Sequence, residues 1–117
     1  MAYIEKTGSK NHHIFRLTVW ESNVNNAENK SDASFTFTLR PKDSGVWDWS
    51  GYGENNATYV KYELSVAGKN YSGYIPSYDG KSTVTLKSGA VTVQHDNDGE
   101  KTINYSFKIT EIGRAHV

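Results

Sequence analysis

The stretch His95-Asp96-Asn97-Asp98-Gly99-Glu100 places a histidine and three acids in six consecutive residues. Residues of these types can bind calcium through their carboxylates or can orient a histidine as a general base. In an EF-hand loop the turn glycine occupies position six, so Gly99 would put Asp98 at five and Asp96 at three. Position one then falls on Gln94, and the bidentate glutamate position falls on Tyr105. Two required oxygen donors are missing, and the residues that follow alternate like a strand rather than a helix. This leaves at most a weak surface site on Asp96 and Asp98, and no metal or cofactor is expected.

Catalysis by His95 needs a nucleophile beside it. The sequence has no strained elbow motif to supply one, and no second histidine at helical ligand spacing. His95 is in phase with Val91 and Val93, so its ring should point inward and bond to loop backbone. Asx side chains and a positive-φ Gly99 would make the segment a hairpin corner. His12 and His13 are adjacent, face opposite sides of any strand and cannot share one metal. They are expected to begin a strand. Carboxylates are plentiful, but none stands in a context that predicts a shifted pKa, so no enzyme is expected. A pocket joining two of Asp43, Asp48, Glu54 and His95 would reverse that expectation.

Aromatic chemistry is concentrated elsewhere. In "VWDWSGYGE", Trp47, Trp49 and Tyr52 lie in a Gly-, Asp- and Asn-rich connection between residues 41 and 58. Exposed rings there would stack on sugars or on partner side chains. Alternatively, one tryptophan folds back over an open end of the core. An extended backbone would put Trp47 and Trp49 on one face and Asp48 on the other. Trp20 falls on the wet face of its own alternating run, where it would cover a loop or mark a contact surface.

These residues must be positioned by strands, because apolar residues recur at every second position and nowhere at helical spacing. The runs are Phe15–Val19, Phe35–Leu39, Val60–Val66, Val84–Leu86, Val91–Val93 and Ile103–Ile109, with a short strand from Tyr71 to Ile75 ending at Pro76. Turn residues separate them at Asn25-Asn26, Lys42 to Gly45, Gly68 to Asn70, Asp79-Gly80, Ser88-Gly89 and Asp98-Gly99. Six or seven short strands with one wet face each predict an all-β, antiparallel, two-sheet sandwich of immunoglobulin-like type, with a small barrel as the alternative.

Composition supports a single unit. The chain has 117 residues, no cysteine, and 13 basic against 13 acidic side chains. Disulfides and thiolate metal sites are excluded, and the balanced charge offers no field to attract nucleic acid or an anionic membrane. No apolar run has the length of a signal peptide or a membrane span, so no membrane insertion is expected. Residues 111–117, "EIGRAHV", match the translation of a short-read sequencing adapter. The domain is therefore expected to cover residues 1–110, with the native gene continuing beyond.

From Tyr59 onward the chain resembles a domain of unknown function in minor structural proteins of siphoviruses, the long-tailed phages. The resemblance rests on Val66-Ala67-Gly68, Tyr71-Ser72-Gly73, Leu86-Lys87-Ser88-Gly89 and the run from Val93 to Ile103. Residues 12–58 fit more loosely, and Asp96 stands where the family often has asparagine. The resemblance implies a virion component at a phage tail tip or fibre, made in the bacterial cytoplasm. Its partners would be other tail subunits and possible host cell-wall glycan. Phage tails use such sandwiches as spacers and adhesive modules. No residue role comes with the resemblance. Glycan recognition through Trp47, Trp49 and Tyr52 is the alternative function.

Overall fold

A computed structural model describes residues 2–8, 12–25, 27–42, 49–50, 59–75, 77–95 and 103–112, with backbone alone at Trp49, Ser50, Tyr59, Ser77, Glu111 and Ile112. Among the described residues nine strands follow one another: β1 (Ala2–Thr7), β2 (His13–Asn25), β3 (Lys30–Pro41), β4 (Trp49–Ser50), β5 (Tyr59–Val66), β6 (Lys69–Ile75), β7 (Ser77–Tyr78), β8 (Val84–Gln94) and β9 (Tyr105–Ile112). They build a four-stranded sheet in the order β1-β2-β3-β8, a three-stranded sheet in the order β6-β5-β9, and the small β4-β7 pair. All pairings are antiparallel. The molecule is thus a two-sheet sandwich of seven main strands, with its own strand order.

The alternation in the sequence becomes the core. β2 contributes Phe15, Leu17 and Val19, and β3 contributes Ala33, Phe35, Phe37 and Leu39. From the facing sheet come Val60, Tyr62, Leu64 and Val66 of β5, Ile75 of β6 and Phe107 of β9. Period-two spacing sends each of these side chains to the same face, which only a second sheet can cover. Phe37 lies at the centre, its ring centroid 5.2 Å from Tyr62 and 5.0 Å from Phe107 across the sandwich.

Besides the short β4 and β7, which no alternation marks, three features differ from the sequence expectation. β1 was not foreseen, because its single half-buried apolar residue, Ile4, gives no alternation. Tertiary contacts hold this strand: Lys6 Nζ donates to the carbonyl of Phe107 and lies 4.8 Å from that ring's centroid. Ser88-Gly89 is not a turn. The two short runs around it are one strand, β8, whose register against β3 shifts between the Phe37↔Lys87 and Thr38↔Thr85 pairs, leaving Leu86 as the extra residue of a bulge. β9 also continues past Thr110, with Glu111 opposite Val60 and Ile112 opposite Tyr59.

Two glycines of the resembling motifs have steric reasons. A Cβ on Gly73 would lie 2.6 Å from Tyr62 Oη, and one on Gly89 would lie 3.2 Å from the Phe35 ring. Each glycine lets an aromatic core side chain lie against bare backbone.

The β5–β6 hairpin turns through Ala67 (φ 51°) and Gly68 (φ 84°), both left-handed as a two-residue primed turn requires. An alanine in that region is strained, whereas asparagine tolerates it. Ala67→Asn is expected to stabilise the fold by about 0.5–1 kcal/mol, read from the midpoint of urea unfolding. The bond from the Ala67 amide to the Asn104 carbonyl, 2.8 Å, uses backbone only and survives the change.

Candidate functional site

Each candidate segment leaves the sandwich from a defined point. Trp49 and Ser50 form β4, which pairs through the backbone with Tyr78 and Ser77 of β7. Trp47 and Tyr52 lie outside the described residues, as do Asp43, Asp48 and Glu54. The β7 side of this pair is rigidly built. Tyr78 is buried, and its hydroxyl donates to the Ser82 carbonyl at 2.7 Å. Asp79 Oδ1 accepts the amides of Lys81 and Ser82, while Oδ2 accepts the Ser82 hydroxyl at 2.6 Å. Gly80 follows at φ 78°. This is the Asx-type turn expected at Asp79-Gly80.

The electrostatics follow from these bonds. The Ser82 hydroxyl and the Lys81 and Ser82 amides hold the Asp79 carboxyl below its usual pKa. Burial, then the Asp79 charge, pushes the Tyr78 phenol above 10.0. Burial does the same to Tyr62.

In the acidic stretch, His95 is described and residues 96–100 are not. His95 turns inward as its phase required: its side chain is only 8 % exposed. Its partners differ from expectation, however. Rather than loop backbone, ring Nε2 meets Ser31 Oγ at 2.8 Å and Glu21 Oε2 at 3.4 Å. The main chain of His95 is what meets the loop, exchanging bonds with the Asn29 carbonyl (2.7 Å) and the Asn29 side-chain amide (3.2 Å). The reason is position. His95 follows the last residue of β8, where its ring reaches the inward-facing Ser31 of β3.

A serine, a histidine and a glutamate thus stand together, but not as a catalytic triad. In a triad the hydroxyl and the carboxylate bind opposite ring nitrogens. Here both approach Nε2, and Ser31 is 1 % exposed, out of reach of a substrate. The trio ties the ends of β2, β3 and β8 together. His12 and His13 have perpendicular rings 6.4 Å apart, and His13 heads β2 with its ring edge-on to Tyr78 at 5.6 Å. Among the described residues no group of three or more His, Asp or Glu could hold a metal ion. Trp20 sits on the outer face of β2 opposite Ser34, half-buried, as its phase predicted.

The outer faces carry two further arrangements. On the four-stranded sheet, Glu5 Oε2 accepts Arg16 Nε at 2.6 Å and Arg40 Nη2 at 3.0 Å, while Arg16 stacks on Tyr3 at 4.4 Å. The Arg16 and Arg40 bonds hold the Glu5 carboxyl below 4.5. A carboxylate whose pKa is lowered by folding contributes stability above its unfolded pKa and loses it as pH falls through the folded value. Lowering the pH from about 6 to about 3 should therefore cost the wild type up to about 1 kcal/mol that Glu5→Gln does not lose. Thermal unfolding midpoints of the two proteins across that range test this, and added salt should shrink the difference.

On the three-stranded sheet lies a hollow of about 500 Å³ lined by Glu63, Ser65, Asn70, Ser72, Ser106 and Lys108, over the backbone of Leu64, Tyr71 and Phe107. The sequence suggests no binding role for these six residues, and Asn70, expected in a turn, is the second residue of β6. Each occupies the wet position of an alternating strand, and only the cross-strand register shows that they share one concavity.

The fold defines a class: an antiparallel two-sheet β-sandwich. Among known proteins the chain matches no family model, no curated protein and no solved structure.

Proposed function

We propose that this domain is a non-enzymatic structural module of a phage virion, at the tail tip or in a tail fibre. It would hold docking segments rigidly for neighbouring subunits or for the host surface. One observation supports rigid presentation above the others. The aromatic segment is pinned where Trp49 pairs with Tyr78, a buried residue locked by its own hydrogen bond to Ser82. A docking residue held in place before binding avoids the entropy of ordering it at that moment. The genes flanking the coding sequence test the reading. Tail, fibre or baseplate genes are the expected neighbours, and a cluster without virion genes would overturn it.

A second reading, recognition of bacterial cell-wall glycan through Trp47, Trp49 and Tyr52, is favoured by the same anchoring. Aromatic side chains stack on sugar rings, and the backbone pairing at Trp49 would hold one such residue at a defined point of the sandwich. Tryptophan fluorescence of the chain, titrated with soluble cell-wall polysaccharide from the host that the flanking genes indicate, should shift and saturate. Trp49→Ala should weaken the response. Unchanged emission in both proteins counts against this reading.

A further inference from the structure

The hollow on the outer face of β6, β5 and β9 has a composition that selects its ligand. Cross-strand pairing arranges the outward residues in rows: Asn70, Ser65 and Ser106; then Ser72, Glu63 and Lys108; then Tyr74, Lys61 and Thr110. The first two rows line the hollow. Four of their six side chains are short, so the face dips to the backbone where longer side chains would have filled it. Among the described residues nothing covers it.

The three serine hydroxyls both donate and accept hydrogen bonds, and so does the Asn70 amide. Glu63 accepts and Lys108 donates. One carboxylate and one ammonium leave the hollow without a strong field of either sign, and Lys61 Nζ stands 3.4 Å from Glu63 Oε1 at its rim. An apolar ligand would strand six polar side chains. A polyanion would meet Glu63, and a polycation would meet Lys108 and Lys61. An uncharged ligand rich in hydroxyl groups satisfies the whole set. In the next row, beyond the lining residues, Tyr74 is 58 % exposed, with Lys61 Nζ 6.0 Å from its ring centroid. From Asn70 to Tyr74 along β6 is about 14 Å at the usual strand rise, room for a short chain of sugars rather than a single ring.

We propose that this hollow binds a neutral oligosaccharide, laid across β6, β5 and β9 with one sugar ring against Tyr74. The site is separate from the aromatic segment around Trp49 and does not depend on the virion reading.

Affinity electrophoresis of the whole chain tests it, using native gels cast with dextran, laminarin, galactomannan, xylan or hydroxyethylcellulose, and with dextran sulfate as a polyanion. At least one neutral polysaccharide should retard the protein. Tyr74→Ala should weaken that retardation about tenfold. Ser106→Trp, which fills the hollow from an exposed strand position, should abolish it. Thr36→Ala, on the outer face of the other sheet, should migrate as the parent does. Thermal unfolding midpoints show that each variant is folded. The proposal is overturned if no neutral polysaccharide retards the chain, or if dextran sulfate alone does. It is equally overturned if folded Tyr74→Ala and Ser106→Trp are retarded like the parent. Loss of retardation in Trp49→Ala, with both hollow variants binding normally, would assign the sugar to the aromatic segment instead.

Discussion

Replacing Phe37 by alanine is expected to destabilise the protein by about 3–5 kcal/mol, the range for deleting a fully buried aromatic side chain. Phe37 is 0 % exposed and stands midway along β3. Its ring stacks at 6.2 Å on Phe15 of the neighbouring strand and meets Tyr62 and Phe107 of the facing sheet at 5.2 and 5.0 Å. It is therefore shared by both layers. Truncation removes the transfer energy of the ring and leaves a cavity that two hydrogen-bonded sheets cannot close by moving toward it. A domain of this size has about 5–15 kcal/mol of stability in all, so the variant should be marginal near room temperature. Urea unfolding followed by tryptophan emission would show the loss as a lower midpoint with an unchanged slope. Phe37→Leu should cost clearly less, because most of the volume is kept. A Phe37→Ala loss below about 1.5 kcal/mol would mean that the two sheets do not meet at this ring.

The same residue shows why most of the fold was legible. Phe35, Phe37 and Leu39 alternate with Thr36 and Thr38, and nothing but a half-buried strand accounts for that pattern. Where the pattern is absent, the elements were missed. β1 is carried by contacts that no local window contains, Lys6 with Phe107 and Glu5 with Arg16 and Arg40. Ser88-Gly89 looked like a turn because glycine is rare inside strands. The Phe35 ring is what requires bare backbone there, and that ring lies over fifty residues away in sequence. The sites divide along the same line. His95 could be aimed inward from its phase with Val91 and Val93, but its partners, Ser31 and Glu21, belong to other strands and could not be named. The hollow was hidden more completely. Serines at outward positions look alike on every strand until register places Ser65, Ser72 and Ser106 side by side.

His95 gives the sharper test of what its surroundings do. His95→Leu should fill much of the ring's space but leave Ser31 Oγ, in a residue 1 % exposed, without the Nε2 partner now 2.8 Å away. A buried hydroxyl that loses its partner costs about 1–3 kcal/mol. Ser31→Ala alone should cost less, since His95 keeps Glu21, itself partly exposed, at 3.4 Å. Removing both members of a buried pair takes away the desolvated group along with its partner, so the double variant should lose much less than the sum of the single losses. Urea midpoints of the four proteins give the coupling energy directly. Strict additivity would show that the Ser31–His95 bond contributes nothing and that His95 acts only through its backbone bonds to Asn29. A coupling of about 1 kcal/mol or more would place the energy in the side chains. In that case the histidine at the head of the acidic stretch is a strut joining β3 to β8, with its ring engaged inward.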